Sequence, residues 1–238
     1  MPASSPRQAH VLRAALDALA IPGAVAAFDL DSTLLDNRPR QARIIREFGA
    51  AAGIAPLEKC APAHFDGWDL RIPLSRCGLS DAEVTRHFPA LRDFWRARFF
   101  TSDYCDLDVP IPGAPMFVQS VIAAGARVVY LTGRHEPMRN GTLSSLGRGG
   151  FPLPDREPRA ELWLKPTFDI PDDAWKESAF ERLRAHGTVT AAFDNEPTHV
   201  NGYRVAFPSA HVVHLKTDHS GRPVNVLANI SAVEDFRL

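Results

Sequence analysis

Lysine is nearly missing from this chain: its 238 residues hold 4 lysines against 23 arginines. Any chemistry that needs an ammonium group falls to Lys59, Lys165, Lys176 or Lys216. Cysteine is as scarce, and Cys60, Cys77 and Cys105 are odd in number and widely spaced. They form no CxxC pair and suggest no disulfide framework, which fits a reducing compartment. An excess of either charge is also absent, with Lys+Arg 27, Asp+Glu 28 and a net charge of −1. A general nucleic-acid binder needs a basic surplus, so nucleic acid is an improbable partner. No apolar run approaches the ~18 residues that span a bilayer. Met1–Ala20 has no sustained apolar stretch, and Asp17 interrupts it, so no signal peptide is read there. The expectation is a soluble cytoplasmic protein with no membrane partner; its oligomeric state is left open. A composition of 45% hydrophobic and 23% charged residues excludes disorder as the main description.

What is present is a series of short, continuous apolar runs. Ala24–Leu30, Ala126–Leu131, Ala160–Leu164, Val189–Phe193 and His211–Leu215 each have the length of a strand buried on both faces of a parallel sheet. Helical patterns over Arg7–Leu19, Ala114–Ala124 and Trp175–Ala185 alternate with them, and Gly125 and Gly187 follow the last two as stop signals. Strand and helix in alternation predict an α/β fold: a doubly wound, Rossmann-like parallel sheet of five strands. The gap from Leu30 to Ala126 is far longer than the ~30 residues of a whole βαβ unit. Residues 37–111 therefore read as a small helical insertion after the first strand, leaving 1–36 and 112–238 as the core. Pro39–Ala52, a segment around Leu57–His64 and Asp81–Phe100 are its expected helices, the last opened by a capping box of Ser80 and Glu83.

The first strand runs into Asp29-Leu30-Asp31-Ser32-Thr33. Strand alternation sets the side chains of Asp29 and Asp31 on one face, at the strand end where open α/β sheets bind ligands. A DxDxT match is expected by chance about 0.06 times in a chain of this composition. Val128–Leu131 is followed by Thr132-Gly133-Arg134, and Val189–Phe193 by Asp194.

These motifs, in this order and at these strand ends, resemble the haloacid dehalogenase (HAD) superfamily over essentially the whole chain. The resemblance implies a Mg²⁺-dependent phosphatase acting on a small phosphomonoester. Asp29 would be the nucleophile that becomes an aspartyl-phosphate, and Asp31 the acid and base that serves the leaving group and then water. A dehalogenase does without that second acid, so Asp31 favours phosphoryl transfer. Asp29, the Asp31 carbonyl and Asp194 would hold the metal. Many relatives carry a further Asp beside Asp194 or a few residues on; here the run is Asp194-Asn195-Glu196-Pro197-Thr198, and Asn195 would ligate through its amide oxygen or hold a metal-bound water. Thr132 would bond a phosphoryl oxygen, with Gly133 adding an N–H near a helix start and Arg134 reaching the phosphate. Lys176, in the first turn of its helix, is preferred over Lys165 as the lysine that neutralises Asp29 and the phosphoryl group.

The insertion would carry selectivity. His64, Trp68, Arg71, Arg86, His87, Trp95, Arg98 and Tyr104 are its candidate contacts, although each reads more simply as packing or solvated surface. His199, His211, His214 and His219 lack ligand spacing and are expected in structural or surface roles. The alternatives are a nucleotide or nucleic-acid end phosphatase, and an idle HAD-like fold that binds a phosphorylated ligand.

Overall fold

The computed structural model describes residues 5–238; the first four residues of the expected core lie outside it. The sheet holds β1 (Ala24–Phe28), β4 (Arg127–His135), β5 (Ala160–Lys165), β6 (Thr188–Asp194), β7 (His211–Leu215) and β8 (Ser231–Val233). Its order is β5-β4-β1-β6-β7-β8, and every pairing is parallel. The expected class is therefore observed, with one correction: the sheet has six strands. Ser231–Val233 is too short to give a run, and its register opposite Val213–Leu215 makes it a strand.

Alternation along β1 sends Ala24, Ala26 and Phe28 to one face and Val25 and Ala27 to the other. On the first face α1 (Pro6–Leu19) and α5 (Ala114–Ala123) supply Leu12, Phe117 and Val121. On the second, α7 (Asp172–His186) and α8 (Pro197–Ala206) supply Ala179, Leu183, Val200 and Tyr203. The helix after Pro171 starts three residues earlier than its apolar pattern. Lys176 thus sits one turn inside, behind Asp172 and Asp173, which suit the positive helix end. The remaining core helix, α6 (Arg139–Arg148), is short and weakly amphipathic, which hides it in the sequence.

Between β1 and α5 the chain builds α2 (Arg38–Ala52), α3 (Arg71–Arg76) and α4 (Asp81–Phe99) around a cluster of their own, including Ile45, Phe48, Leu57, Leu74 and Leu91. The capping box of Ser80 and Glu83 opens α4. Leu57–His64 forms tight 3₁₀ turns in place of a helix, since Pro56 and Pro62 interrupt it. Two-residue strands, β2 (Leu35–Asp36) and β3 (Val109–Pro110), pair antiparallel at the root of this segment.

Candidate active site

The chain leaves β1 toward β4 on one side and reaches β6 on the other. The crevice beyond β1 and β6 is thus the topological switch point. Phe28 is in register with Phe193, so the next residues, Asp29 and Asp194, stand side by side, and the Asp29 N–H donates to the Phe193 carbonyl at 3.0 Å. Lys176 reaches up from α7 and donates to Asp29 Oδ1 at 2.7 Å and Asp194 Oδ2 at 2.5 Å. All three are buried. Burial, helped by Asp194, pushes the Asp29 carboxyl up to about 7 against the pull of Lys176. Burial acts on Asp194 in the same sense, but Lys176 and His199 outweigh it and hold that carboxyl well below its usual range. Two buried carboxylates share one ammonium, and Lys176 engages one oxygen of Asp29.

Asp31 follows in a tight turn in which Ser32 takes a left-handed backbone (φ 63°) and its carbonyl accepts from the Thr217 hydroxyl. Arg134 grips Asp31 at both oxygens, Nε to Oδ2 at 2.8 Å and Nη2 to Oδ1 at 2.7 Å. Arg40 adds a third contact at 2.7 Å. Burial opposes ionisation of Asp31, but the two guanidiniums prevail and hold it well below the ordinary carboxylate range. Asp108 closes the set, 2.6 Å from Arg134 Nη2 and 3.0 Å from Arg40 Nε. Arg40 and Asp108 come from the inserted segment, Asp31 from the turn after β1 and Arg134 from β4. Arg134 thus faces a carboxylate in this structure.

Thr132 is fully buried; its hydroxyl accepts from the Arg134 N–H at 3.2 Å and its carbonyl from the Trp175 indole at 2.9 Å. Gly133 lies within β4, which continues to His135; a 3₁₀ turn over Glu136–Met138 follows, and α6 begins at Arg139. Gly133 does border the cavity, and a Cβ there would meet Asp172 Oδ2 at 2.7 Å. Lys165 clasps Asp172 at 2.6 Å and the carbonyl of Ile170 at 2.9 Å; Lys176 is the lysine brought to Asp29. The amide of Asn195 is engaged on both sides, accepting from the Thr33 hydroxyl and donating to the Asp218 carbonyl.

A cavity of about 500 Å³ opens over Asp29, Asp31 and Lys176. Trp68, Trp95, Phe99 and Phe100 wall it from the inserted segment. Of the candidate contacts in the insertion, Trp68 and Trp95 line this cavity and His64, Arg71, Arg86, His87, Arg98 and Tyr104 do not. No helix among the described residues is long and apolar enough to cross a membrane.

No family model matches the sequence, and no curated protein sequence matches it. Solved structures do match. A haloacid dehalogenase-like hydrolase, SP0104 from Streptococcus pneumoniae, aligns over 89% of this chain and 95% of its own at a TM-score of 0.52 and 10% identity. The chain has the haloacid dehalogenase-like fold. CbbY from Rhodobacter sphaeroides, solved with phosphate, aligns over 90% of this chain and 94% of its own, at a TM-score of 0.50 and 15% identity. Protein tyrosine kinase A of Mycobacterium tuberculosis aligns over 88% and 92%, at a TM-score of 0.51 and 17% identity. A hydrolase and a kinase in one set mean that the likeness fixes architecture and leaves the reaction to the site.

Within this HAD-like fold, several residues at the site carry no motif. His199 lies 3.3 Å from Asp194 Oδ1 and 2.9 Å from Asp173. Its signal was position: it falls in the first turn of α8, five residues past Asp194. Glu196 is held by the Ser220 hydroxyl at 2.8 Å and by Arg222, which also pairs with Asp173 at 2.6 Å. Arg222 comes from the loop between β7 and β8, where no local pattern marks it.

Proposed function

We propose that this chain is a metal-dependent phosphomonoesterase, with Asp29 as nucleophile. The observation that carries the reading is the pair of buried carboxylates, Asp29 and Asp194, sharing Lys176 at the floor of a cavity on the switch point. The donor set suits a divalent cation: magnesium takes oxygen ligands and needs only one or two carboxylates. Asp29, Asp194 and the backbone carbonyl of Asp31 would hold it, and a bound cation would supply charge neutralisation at the phosphoryl oxygens.

An oxygen of Asp29 attacks phosphorus, and the bond between phosphorus and the ester oxygen breaks. The leaving alkoxide takes a proton from Asp31, and water then cleaves the aspartyl-phosphate with Asp31 as base. Lys176 keeps Asp29 oriented and offsets charge on the transferring group. For Asp31 to carry a proton, its grip by Arg134 and Arg40 has to loosen, and an incoming phosphoryl dianion is the competitor that Arg134 would accept. Buried Thr132 fixes the backbone from which Gly133 and Arg134 meet the substrate. The 37–111 segment acts as a cap over the core, and its aromatic wall favours a leaving group with an apolar or planar face. CbbY, which shares the fold, was solved with phosphate and with xylulose-1,5-bisphosphate, in keeping with a small phosphorylated substrate.

The test is phosphate release from p-nitrophenyl phosphate, with and without Mg²⁺, for the native chain and Asp29→Asn. Metal-dependent release that vanishes in the variant is expected. Release that persists in Asp29→Asn would overturn the assignment of the nucleophile. Beryllofluoride should bind the native site and not the variant, and its failure to bind would point to an idle fold.

A further inference from the structure

Three side chains far from this cavity meet on the inserted segment. Cys60 ends the first 3₁₀ turn, His64 sits in the next, and Cys77 caps the C-terminus of α3. One ligand atom from each, the two Sγ atoms and a ring nitrogen, lies within 4.8 Å of the others. Cys77 Sγ is 3.5 Å from His64 Nδ1. The Ala61 N–H donates to the same Nδ1 at 3.1 Å, so that nitrogen is the acceptor and the ring proton sits on Nε2; a metal at Nδ1 would take this lone pair over from the Ala61 N–H. Cys60 is buried and Cys77 half-buried.

We propose that Cys60, His64 and Cys77 form a zinc site that clips the inserted segment together. Geometry carries it. Zinc lies ~2.3 Å from sulfur and ~2.05 Å from nitrogen, so the edge of its tetrahedron between the two is about 3.6 Å. The observed edge between Cys77 and His64 has that length before any ion arrives. Two thiolates and an imidazole are a borderline-soft set, which selects zinc over magnesium or calcium. His64 and Cys77 line a surface cavity together with Pro56, Lys59 and Arg76, which gives an ion a path for entry. None of that cavity's lining residues borders the catalytic one. Two thiolates neutralise the ion, and the two thiol protons are released on binding.

The clip joins residue 60 to residue 77, and the chain between them carries Trp68, a wall of the catalytic cavity. Trp68 is otherwise moored by its indole N–H on the Asp218 carbonyl at 3.2 Å and by the Gly67 N–H on Asp218 Oδ1 at 3.0 Å. Zinc would hold this strap at its other end.

The test titrates cobalt(II), then zinc(II), into the full-length chain after chelator dialysis under reductant. One equivalent of cobalt should give thiolate-to-cobalt charge-transfer absorption with tetrahedral ligand-field bands, and zinc should displace it. The signal should persist in Asp29→Asn, which removes a carboxylate of the other site. Cys77→Ser and His64→Gln, both at partly exposed positions, should each weaken zinc binding at least about 100-fold, since even outer-shell partners of a metal site are worth 10–100-fold. Circular dichroism reports whether each variant is folded, and one folded variant suffices. Zinc should raise the melting temperature of the native chain and not of the variants. Absent charge transfer, a signal that survives Cys77→Ser in the folded variant, or a Cys60–Cys77 disulfide in the chain as isolated would each overturn the proposal.

Discussion

Replacing Arg40 by Met should be among the most damaging single changes outside the proposed catalytic carboxylates. Arg40 is fully buried, in contact with Asp31 at 2.7 Å and Asp108 at 3.0 Å, donates to the Phe99 carbonyl at 3.1 Å and lies 3.9 Å over that ring. The set Asp31, Asp108, Arg40 and Arg134 is neutral; Arg40→Met leaves it at −1 in a buried place. Breaking a buried ion pair from one side costs about 3–5 kcal/mol. For a chain of this size that is a fall in melting temperature of roughly 6–20 °C. The double variant Arg40→Met/Asp108→Leu restores neutrality, because Asp31 and Arg134 remain as a two-pronged pair. It should therefore be less damaged than the sum of its singles by at least about 1–2 kcal/mol. Urea unfolding of the four proteins measures this directly. Singles that add to the double within about 0.5 kcal/mol, or an Arg40→Met cost below about 1 kcal/mol, would refute the reasoning.

Lys176→Met leaves Asp29 and Asp194 facing each other without a cation; it should lower stability by about 3–5 kcal/mol and phosphate release at least about 100-fold, read by melting and by turnover. Asp29 has to be ionised to attack and is pushed up to about 7, so kcat/KM should rise with pH through about 7 at limiting Mg²⁺. That limb should move to lower pH as Mg²⁺ is added, because a cation favours the carboxylate; a limb fixed in pH would count against metal beside Asp29. The same group sets a stability slope. The folded chain keeps a proton that the unfolded chain loses above about 4, so Asp29 opposes folding increasingly from there to about 7, and Asp29→Asn should flatten the decline in urea midpoints. Gly141→Ala should cost at least about 2 kcal/mol, since a Cβ on α6 would lie 2.3 Å from the Ser102 carbonyl; an unchanged melting temperature would show that the two backbones are not that close.

The sheet was legible because each central strand is a continuous apolar run, and Asp29, Asp194 and Lys176 were legible because strand ends and a helix start are places that a sequence marks. The sixth strand escaped because three residues cannot show a period, and α6 because its residues divide poorly into faces. The partners of Asp31 escaped for another reason. Arg40, Asp108 and Arg134 lie 9, 77 and 103 positions from Asp31, and nothing local distinguishes a buried arginine from the chain's many surface ones. Cys60, His64 and Cys77 are hidden likewise: the meeting depends on two 3₁₀ turns where a helix was expected.

The four buried charges bear on how the site works as well as on how it holds together. They cross the boundary between the inserted segment and the sheet at the carboxylate that the proposed reaction needs most. Swinging the segment away would break the contacts of Arg40 with Asp31 and of Asp108 with Arg134, and would leave each half with one ion pair, Arg40 with Asp108 and Asp31 with Arg134, in place of the joined set of four. A phosphoryl dianion entering the cavity would change that balance, since it would offer Arg134 a partner in exchange for Asp31 and free Asp31 from its two-pronged grip. Arginine suits this exchange, because its planar fork fits a carboxylate and a phosphate equally well and it never loses its charge. In this fold the device that keeps the segment seated and the device that prepares the acid would then be the same two guanidiniums, and under the proposed reaction substrate binding and release of the segment would be coupled through Asp31.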